Sequence, residues 1–443
     1  MMKKLLLCFT IITAAAQAQE KKPWTLQACI EYALQNNLSV KTSLLNTETS
    51  KVNLDQSKFS MLPTLNGGGS YGFNWGRNID PTTNQFVTER INSINFQASS
   101  SLLLFNGFRL INNYKQSSVD NEAAAEDFIK AKNDVILNVV TLYTTVIFNK
   151  ELLSNAQSQL ATTTQQLERT RKLAEAGSVP RGDVLDLEAQ QASNELNVIT
   201  NENAVNLSLL RLKQALQIGA SEPMDIEVPD LDVADGIVTE SIDEIFDRAL
   251  TVMPEVKSAK LKLQSSLYAF KSARGSYFPR LSLNGNLFTN YSSAIDKFTP
   301  GGYPINEQLN DYLAEAASFQ LQIPIFNGYQ TRANVKRSYF NTQQAEINLV
   351  SAKNTLRQSV ESAYNDALAS SKTYQSALKL VNARNEAFRM AKQRFDNGAA
   401  NFVEYQTAEN SLFQAKSDLV RAKYDFIFKK KVLDFYQGKS IEL

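Results

Sequence analysis

The chemistry-bearing side chains of this chain are carboxylates, and the partners that would make them catalytic are missing. The sequence has no histidine and two cysteines. Without histidine there is no Ser or Cys nucleophile with an imidazole base and no plausible metal-ligand cluster. No Gly-rich phosphate loop occurs either. Only Glu/Lys acid–base chemistry stays open, so the chain reads as a non-enzyme with no catalytic residue, no cofactor and no metal site. The carboxylates worth following stand at two matching places. Asp183 and Asp186, three apart and hence on one helix face, follow Gly177-Ser178. Glu404 follows Gly398-Ala399 in the same way, with Thr407 in the position of the second acid. Asn401-Phe402-Val403-Glu404 reads as a capping box, Glu404 reaching back to the helix start. Asp183 and Asp186 suit the positive end of a helix dipole.

Those places match because the chain is written twice. Ala33-Leu34, Val40-Lys41 and Pro63 recur as Ala249-Leu250, Val256-Lys257 and Pro279, an offset of 216 (279 − 63). Phe105-Asn106-Gly107, Ala131-Lys132-Asn133, Tyr143 and Gly177 recur as Phe326-Asn327-Gly328, Ala352-Lys353-Asn354, Tyr364 and Gly398, an offset of 221 (398 − 177). The five extra residues of the second half (221 − 216) fall between Leu281 and Phe326. A repeat this long sets the architecture before any motif is weighed. It overrules the roughly three ordinary domains that about 425 mature residues would suggest. The halves run over 19–220 and 241–443, joined by an acidic linker, 221–240, that contains Pro223 and Pro229.

Residues 1–18 read as an export signal: Lys3 and Lys4, an apolar run from Leu5 to Ala16, and Ala16-Gln17-Ala18 as a small-x-small cleavage site. Cleavage takes the formal net charge from +1 to −1 (1 − 2). That balance gives no reason to expect nucleic acid as a partner. Cys29 alone remains, so no intrachain disulfide forms, and it reads as a small apolar residue of a short helix. No later stretch of eighteen apolar residues occurs, so membrane insertion must use β-structure.

Each half opens with two short helices (Leu26 to Asn36 and on to Phe59; Ile242 to Met253 and on to Ser276), stopped before Pro63 and Pro279. Strict alternation follows. Leu65, Gly67, Gly69, Tyr71, Phe73 and Trp75 face one way, and Asn66, Gly68, Ser70, Gly72, Asn74 and Gly76 the other. Strands are expected at about 64–76, 91–104, 280–291 and 313–325. Period two with uncharged polar residues on one face suits a strand between lipid and a watery lumen. Phe59, Phe105, Tyr277, Phe278 and Phe326 gather at one end of these strands; Trp75, Phe86, Tyr291, Phe298 and Tyr303 gather near the other, as interfacial girdles would. The polar connections, Arg77 to Arg90 with Asp80-Pro81 and Ser292 to Asn310 with Pro300-Gly301-Gly302, are the expected exposed loops. From 108 to 176 and from 329 to 397 there is neither proline nor glycine. As α-helix each run extends about 100 Å. Gly177 and Gly398 end them as left-handed C-caps, and helices return over 183–217 and 402–436. Val135, Val139, Leu142 and Val146, like Leu356, Val360, Ala363 and Ala367, form a heptad-type seam. Four strands cannot close a sheet in lipid, so the chain must oligomerise if they are embedded there.

The signal peptide, the duplicated helix–strand–strand–helix order, the Phe-Asn-Gly turn entering each long helix and the tips Gly177-x5-Asp183-Val184-Leu185-Asp186 and Gly398-x5-Glu404 resemble the TolC-type outer-membrane efflux family. The resemblance covers about residues 24 to 437. It implies an α+β membrane protein: a homotrimer whose twelve-stranded outer-membrane barrel, four strands per chain, continues as an α-helical coiled-coil barrel across the periplasm. It implies a passive channel subunit of a tripartite efflux or type I secretion system. The partners would be outer-membrane lipid, a periplasmic adaptor (membrane fusion) protein and an inner-membrane RND or ABC transporter. Carried over position by position, it makes Glu404 a carboxylate of the periplasmic gate, with Thr407 departing from the usual second acid and Asp183 and Asp186 in the corresponding places of the first half. Rings of such carboxylates would favour cations. It makes Gly177, Ser178, Gly398 and Ala399 the adaptor-contacting tips. Gate and cap both stand for Glu404; the residues favour cap alone for Asp183. Arg181-Gly182-Asp183 spells a cell-adhesion tripeptide that carries no weight in this turn context. The competing reading is a structural periplasmic coiled-coil interaction protein with incidental strands.

Overall fold

The computed structural model describes residues 23–79, 84–88, 90–229 and 240–439. The expected signal peptide, the Asp80-Pro81 turn and residues 230–239 of the linker lie outside the described residues.

Both halves fold into the same helices at the same spacing. Helices α1 (Leu26–Asn36) and α2 (Leu38–Phe59) are matched by α5 (Ile242–Val252) and α6 (Pro254–Gly275), with 11 and 22 residues in each half. The long helices α3 (Arg109–Glu175) and α9 (Gln330–Asp396) have 67 residues each and return as α4 (Arg181–Leu216) and α10 (Phe402–Tyr436). Each long helix is entered through two left-handed residues, Gly107 and Phe108 (φ 68° and 64°) or Gly328 and Tyr329 (61° and 71°). Asn106 and Asn327 cap these turns, each Oδ1 accepting a backbone N–H four residues on at 3.4 Å. Helix α4 starts two residues earlier than the sequence suggests, because Pro180 (φ −67°) is already set for helix entry. Arg181-Gly182-Asp183 is therefore helical, not a loop.

The four main strands are β1 (Thr64–Asn74), β4 (Ile91–Phe105), β5 (Arg280–Ser292) and β6 (Ala314–Gln322), antiparallel in the order β1-β4-β5-β6. Gly76 (φ 102°) turns the chain just past β1, and β6 stops two residues before Pro324, which has no N–H to give a ladder. The register stacks the alternation across all four strands: Gly67 pairs with Ala98 and Ala98 with Leu287, while Asn66 pairs with Ser99 and Ser99 with Asn286. One face is thus Leu65, Tyr71, Phe73, Ile94, Phe96, Leu283, Phe319 and Leu321. The other is mostly Ser, Asn, Gln and Gly, laced by Ser101 donating to Asn284 at 2.8 Å; Ile91, Leu103 and Phe288 are exceptions to its polarity, and Glu315, opposite Leu287, is the charged exception on the apolar face. Both edges are open, and β1 and β6 are exposed along nearly their whole length.

The connections differ between halves, and they hold the extra residues: 16 residues separate β1 from β4 (75–90) and 21 separate β5 from β6 (293–313). The first connection is a short β-hairpin, β2 (Arg77–Ile79) with β3 (Phe86–Thr88), where a polar loop was expected. The second contains helices α7 (Ser293–Phe298), which lies against β4, and α8 (Ile305–Asp311), which folds back onto β5. Its anchor is Gln308, fully buried, which accepts from the Ser292 N–H at 3.0 Å and donates to the Tyr303 carbonyl at 2.7 Å. At this end Arg90 lies over Phe73 and Trp75 and Arg77 over Phe86, cations on aromatic faces as suits a headgroup layer.

Most seam residues of α3 and α9 are buried, against the short helices and, in the first half, against α4 as well. Val135, Val139 and Val146 pack with Cys29, Ile30 and Ala33 of α1 and with Leu212 and Leu216 of α4. Leu356, Val360, Ala363 and Ala367 pack with Ile245, Ala249 and Met253 near α5. This apolar seam gives α3 an 18-residue window of mean hydropathy 1.2; its position in the core makes it packing surface, not a membrane span. Sequence patterning missed a strap across this core. Trp24 and Ile226 form a parallel bridge, and the buried Tyr143 hydroxyl lies 2.7 Å from the Glu227 carbonyl and 3.0 Å from that of Trp24. Burial raises the Tyr143 hydroxyl's pKa and keeps it a donor.

Candidate functional site

The candidate residues gather at the tips of the two helical hairpins. Both tips are Schellman turns. The Gly177 N–H donates to Ala174 O at 3.0 Å and Ser178 N–H to Leu173 O at 2.8 Å; Gly398 N–H donates to Phe395 O at 3.0 Å and Ala399 N–H to Arg394 O at 2.7 Å. Gly177 (φ 74°) and Gly398 (φ 71°) supply the left-handed residue. Gly177, Ser178, Gly398 and Ala399 are all exposed.

Glu404 makes half of the expected capping box. Its N–H donates to Asn401 Oδ1 at 2.8 Å, but its carboxylate turns to the Arg394 guanidinium in the last turn of α9. Arg394 also lies 3.4 Å from the Ala399 carbonyl oxygen, so one guanidinium ties the turn to the start of α10 through two partners. Thr407, one turn on, donates its hydroxyl to the Val403 carbonyl at 2.7 Å. In the first hairpin the N-cap is Pro180, which has no side-chain bond to offer; Asp183 sits in the first turn of α4, where its charge meets the helix dipole, and Asp186 is exposed one turn further. The structure thus joins Glu404 to Arg394, a partner sequence reasoning missed. The signal was there: in a Schellman turn followed by a cap, the third residue from one helix end faces the third residue of the next helix.

The two hairpins touch near their tips through aromatic and polar contacts. Phe402 and Tyr405 of α10 pack with Leu187 of α4, Leu167 of α3 and Phe395 of α9. Tyr405 and Phe395 stack at 5.1 Å. Arg169 reaches Asp396 at 3.1 Å, and Gln190 and Gln406 meet across the hairpins. Further from the tip lies a cavity of about 110 Å³ lined by Asn155, Gln159, Glu409 and Lys416 among others. Burial raises the Glu409 pKa, opposed by the Tyr405 hydroxyl at 3.2 Å and the charge of Lys392. Asn155 Nδ2 and Gln159 Oε1 are buried without a partner. The joint between the hairpins is thus polar here, where the cores nearer the sheet are apolar.

Comparison with known proteins agrees with this geometry. The sequence pattern of the family described as "Outer membrane efflux protein" matches residues 29–217 and 245–433, two stretches offset by 216 (245 − 29), as the repeat is. The chain is 21% identical to the alkaline protease secretion protein AprF of Pseudomonas aeruginosa, covering 92% of this chain and 82% of that one. It is 21% identical to the outer membrane protein TolC of Escherichia coli, covering 96% and 84%. Among solved structures it superposes on the outer membrane protein VceC of Vibrio cholerae with a TM-score of 0.76 at 14% identity, over 94% of this chain and 97% of that one. With both repeats matched and the fold shared over nearly its full length, the chain belongs to the outer membrane efflux protein family.

Proposed function

We propose that this chain is one third of a passive duct through the outer membrane, serving an efflux or type I secretion system. The observation that carries the reading is that every layer is open at the same two sides. The neighbours run β1-β4-β5-β6 in the sheet, α2-α3-α6-α9 next to it, and α4-α3-α10-α9 towards the tips. One side is always first-half structure (β1, α2 or α4), and the other always second-half (β6 or α9). A head-to-tail ring of copies joins them. The sheet demands such a ring, because an open edge in lipid leaves N–H and C=O groups unpaired. Its polar face then lines a watery lumen and its apolar face meets lipid. A soluble periplasmic rod does not account for a sheet exposed on both faces.

In this reading three copies supply twelve strands. The exposed tips Gly177, Ser178, Gly398 and Ala399 are the surface offered to a periplasmic adaptor protein, and an inner-membrane RND or ABC transporter selects the cargo. Glu404, Thr407, Asp183 and Asp186 mark the constriction, and the Arg394–Glu404 contact is its clasp. Arg394→Ala tests that assignment. The pair is exposed, so its loss lowers stability by less than about 1 kcal/mol, yet conductance in planar bilayers rises or opens more often. Unchanged conductance would remove the clasp from the gate.

A further inference from the structure

The two Phe-Asn-Gly turns have the same backbone and opposite surroundings. The first, Phe105-Asn106-Gly107, is clamped against the end of α6 and the turn after it. A Cβ built on Gly107 would stand 2.3 Å from the Gly275 carbonyl oxygen and 2.9 Å from Phe278 Cβ; one built on Gly275 would stand 2.5 Å from Gly107 O and from Arg109 Cγ. The crossing is glycine on glycine. The second, Phe326-Asn327-Gly328, has nothing within 4 Å of the same probe at Gly328, and Ile325 and Phe326 are 93% and 89% exposed. It borders a cavity of about 260 Å³ together with Tyr277, Tyr329 and Arg332.

The repeat says what belongs there. The segment that covers the first turn, Gly275-Ser276-Tyr277-Phe278-Pro279, has its counterpart 216 residues earlier (275 − 59) in Phe59-Ser60-Met61-Leu62-Pro63. Phe59 and Leu62 are exposed. That segment enters β1, whereas the open turn leaves β6, and these are opposite edges of the sheet. Three strand spacings, about 14 Å, keep them apart within one chain. The segment must come from a second copy.

We propose that the turn Phe59–Leu62 of one copy seats on Phe326-Asn327-Gly328 of the next, with the Phe59 ring in the cavity. This rests on the edge-to-edge ring proposed above. The substitution at the crossing sets its character: where the joint within a chain has Gly275, the joint between chains has Phe59. Backbones cannot approach as closely there, and an aromatic anchor fills the gap. A cavity of about 150 Å³ already takes a benzene ring, so this one has room. Arg332 stands where the C-terminal carbonyls of α2 arrive, a favourable charge for that end of a helix. The ring therefore alternates tight glycine joints within chains and wider aromatic joints between them.

The test is a short bis-maleimide crosslinker on the full-length Phe59→Cys/Phe326→Cys double variant in outer membranes, with each single variant alongside. Denaturing gels are expected to show linked dimers and trimers for the double variant and monomers for the singles. Trimers on native gels without linkage would overturn the joint and leave the ring standing; monomers on native gels would overturn the ring itself. If the double variant fails to assemble, Phe59→Ala decides. It is expected to lower the temperature at which purified oligomers dissociate while helix content is unchanged; an unchanged temperature overturns the joint.

Discussion

Gly107→Ala is expected to abolish assembly, whereas the matching change Gly328→Ala is expected to be tolerated. Both residues carry a left-handed backbone, φ 68° and 61°, so each alanine costs about 1–2 kcal/mol from conformation alone. Only at Gly107 does the new methyl strike something, and what it strikes is backbone, 2.3 Å away at Gly275. A main-chain carbonyl ending a helix has no rotamer to move into. Overpacking of this kind adds about 1–3 kcal/mol, and a total of about 2–5 kcal/mol is a large share of the roughly 5–15 kcal/mol that holds a domain folded. Heat or denaturant unfolding with detergent-extracted yield checks the contrast. Equal losses at the two glycines would mean that the repeats are covered alike.

The second large effect belongs to adjacent residues on opposite faces of the sheet. Ala98→Arg is expected to cost about 2–4 kcal/mol per chain and to block outer-membrane insertion, because Ala98 lies mid-sheet between Gly67 and Leu287 on the apolar face. Ser99→Arg, between Asn66 and Asn286 on the polar face, is expected to insert normally and to shift conductance towards anions. Membrane fractionation followed by ion-selectivity measurements separates them. A reversed pattern would turn the sheet inside out.

Much of this was legible in residues. The long helices stood out because 67-residue spans without proline or glycine can scarcely be anything else, and Gly177 and Gly398 ended them as expected. The strands were legible from period two alone, and the register bears out the face assignments from Leu65 across to Leu321. The five extra residues fell in the connection where the offsets placed them. What was not legible depended on contacts distant in sequence. Tyr143 finds Trp24 and Glu227, 119 and 84 residues away, and periodicity carries no trace of such a pair. The seam of α3 and α9 was visible, but not that the short helices would cover it. Helix α8 was hidden in a polar loop because its stability comes from one buried glutamine, Gln308, and not from propensity. At the tip, Glu404 was marked by position, while its Arg394 partner emerged only once the turn's backbone was fixed.

In the proposed ring one chain is an incomplete wall, closed only by others like it. Native mass spectrometry of the protein extracted from outer membranes in mild detergent checks this. Three chains per particle are expected; a monomer, or a protein released from cells without detergent, would overturn the ring.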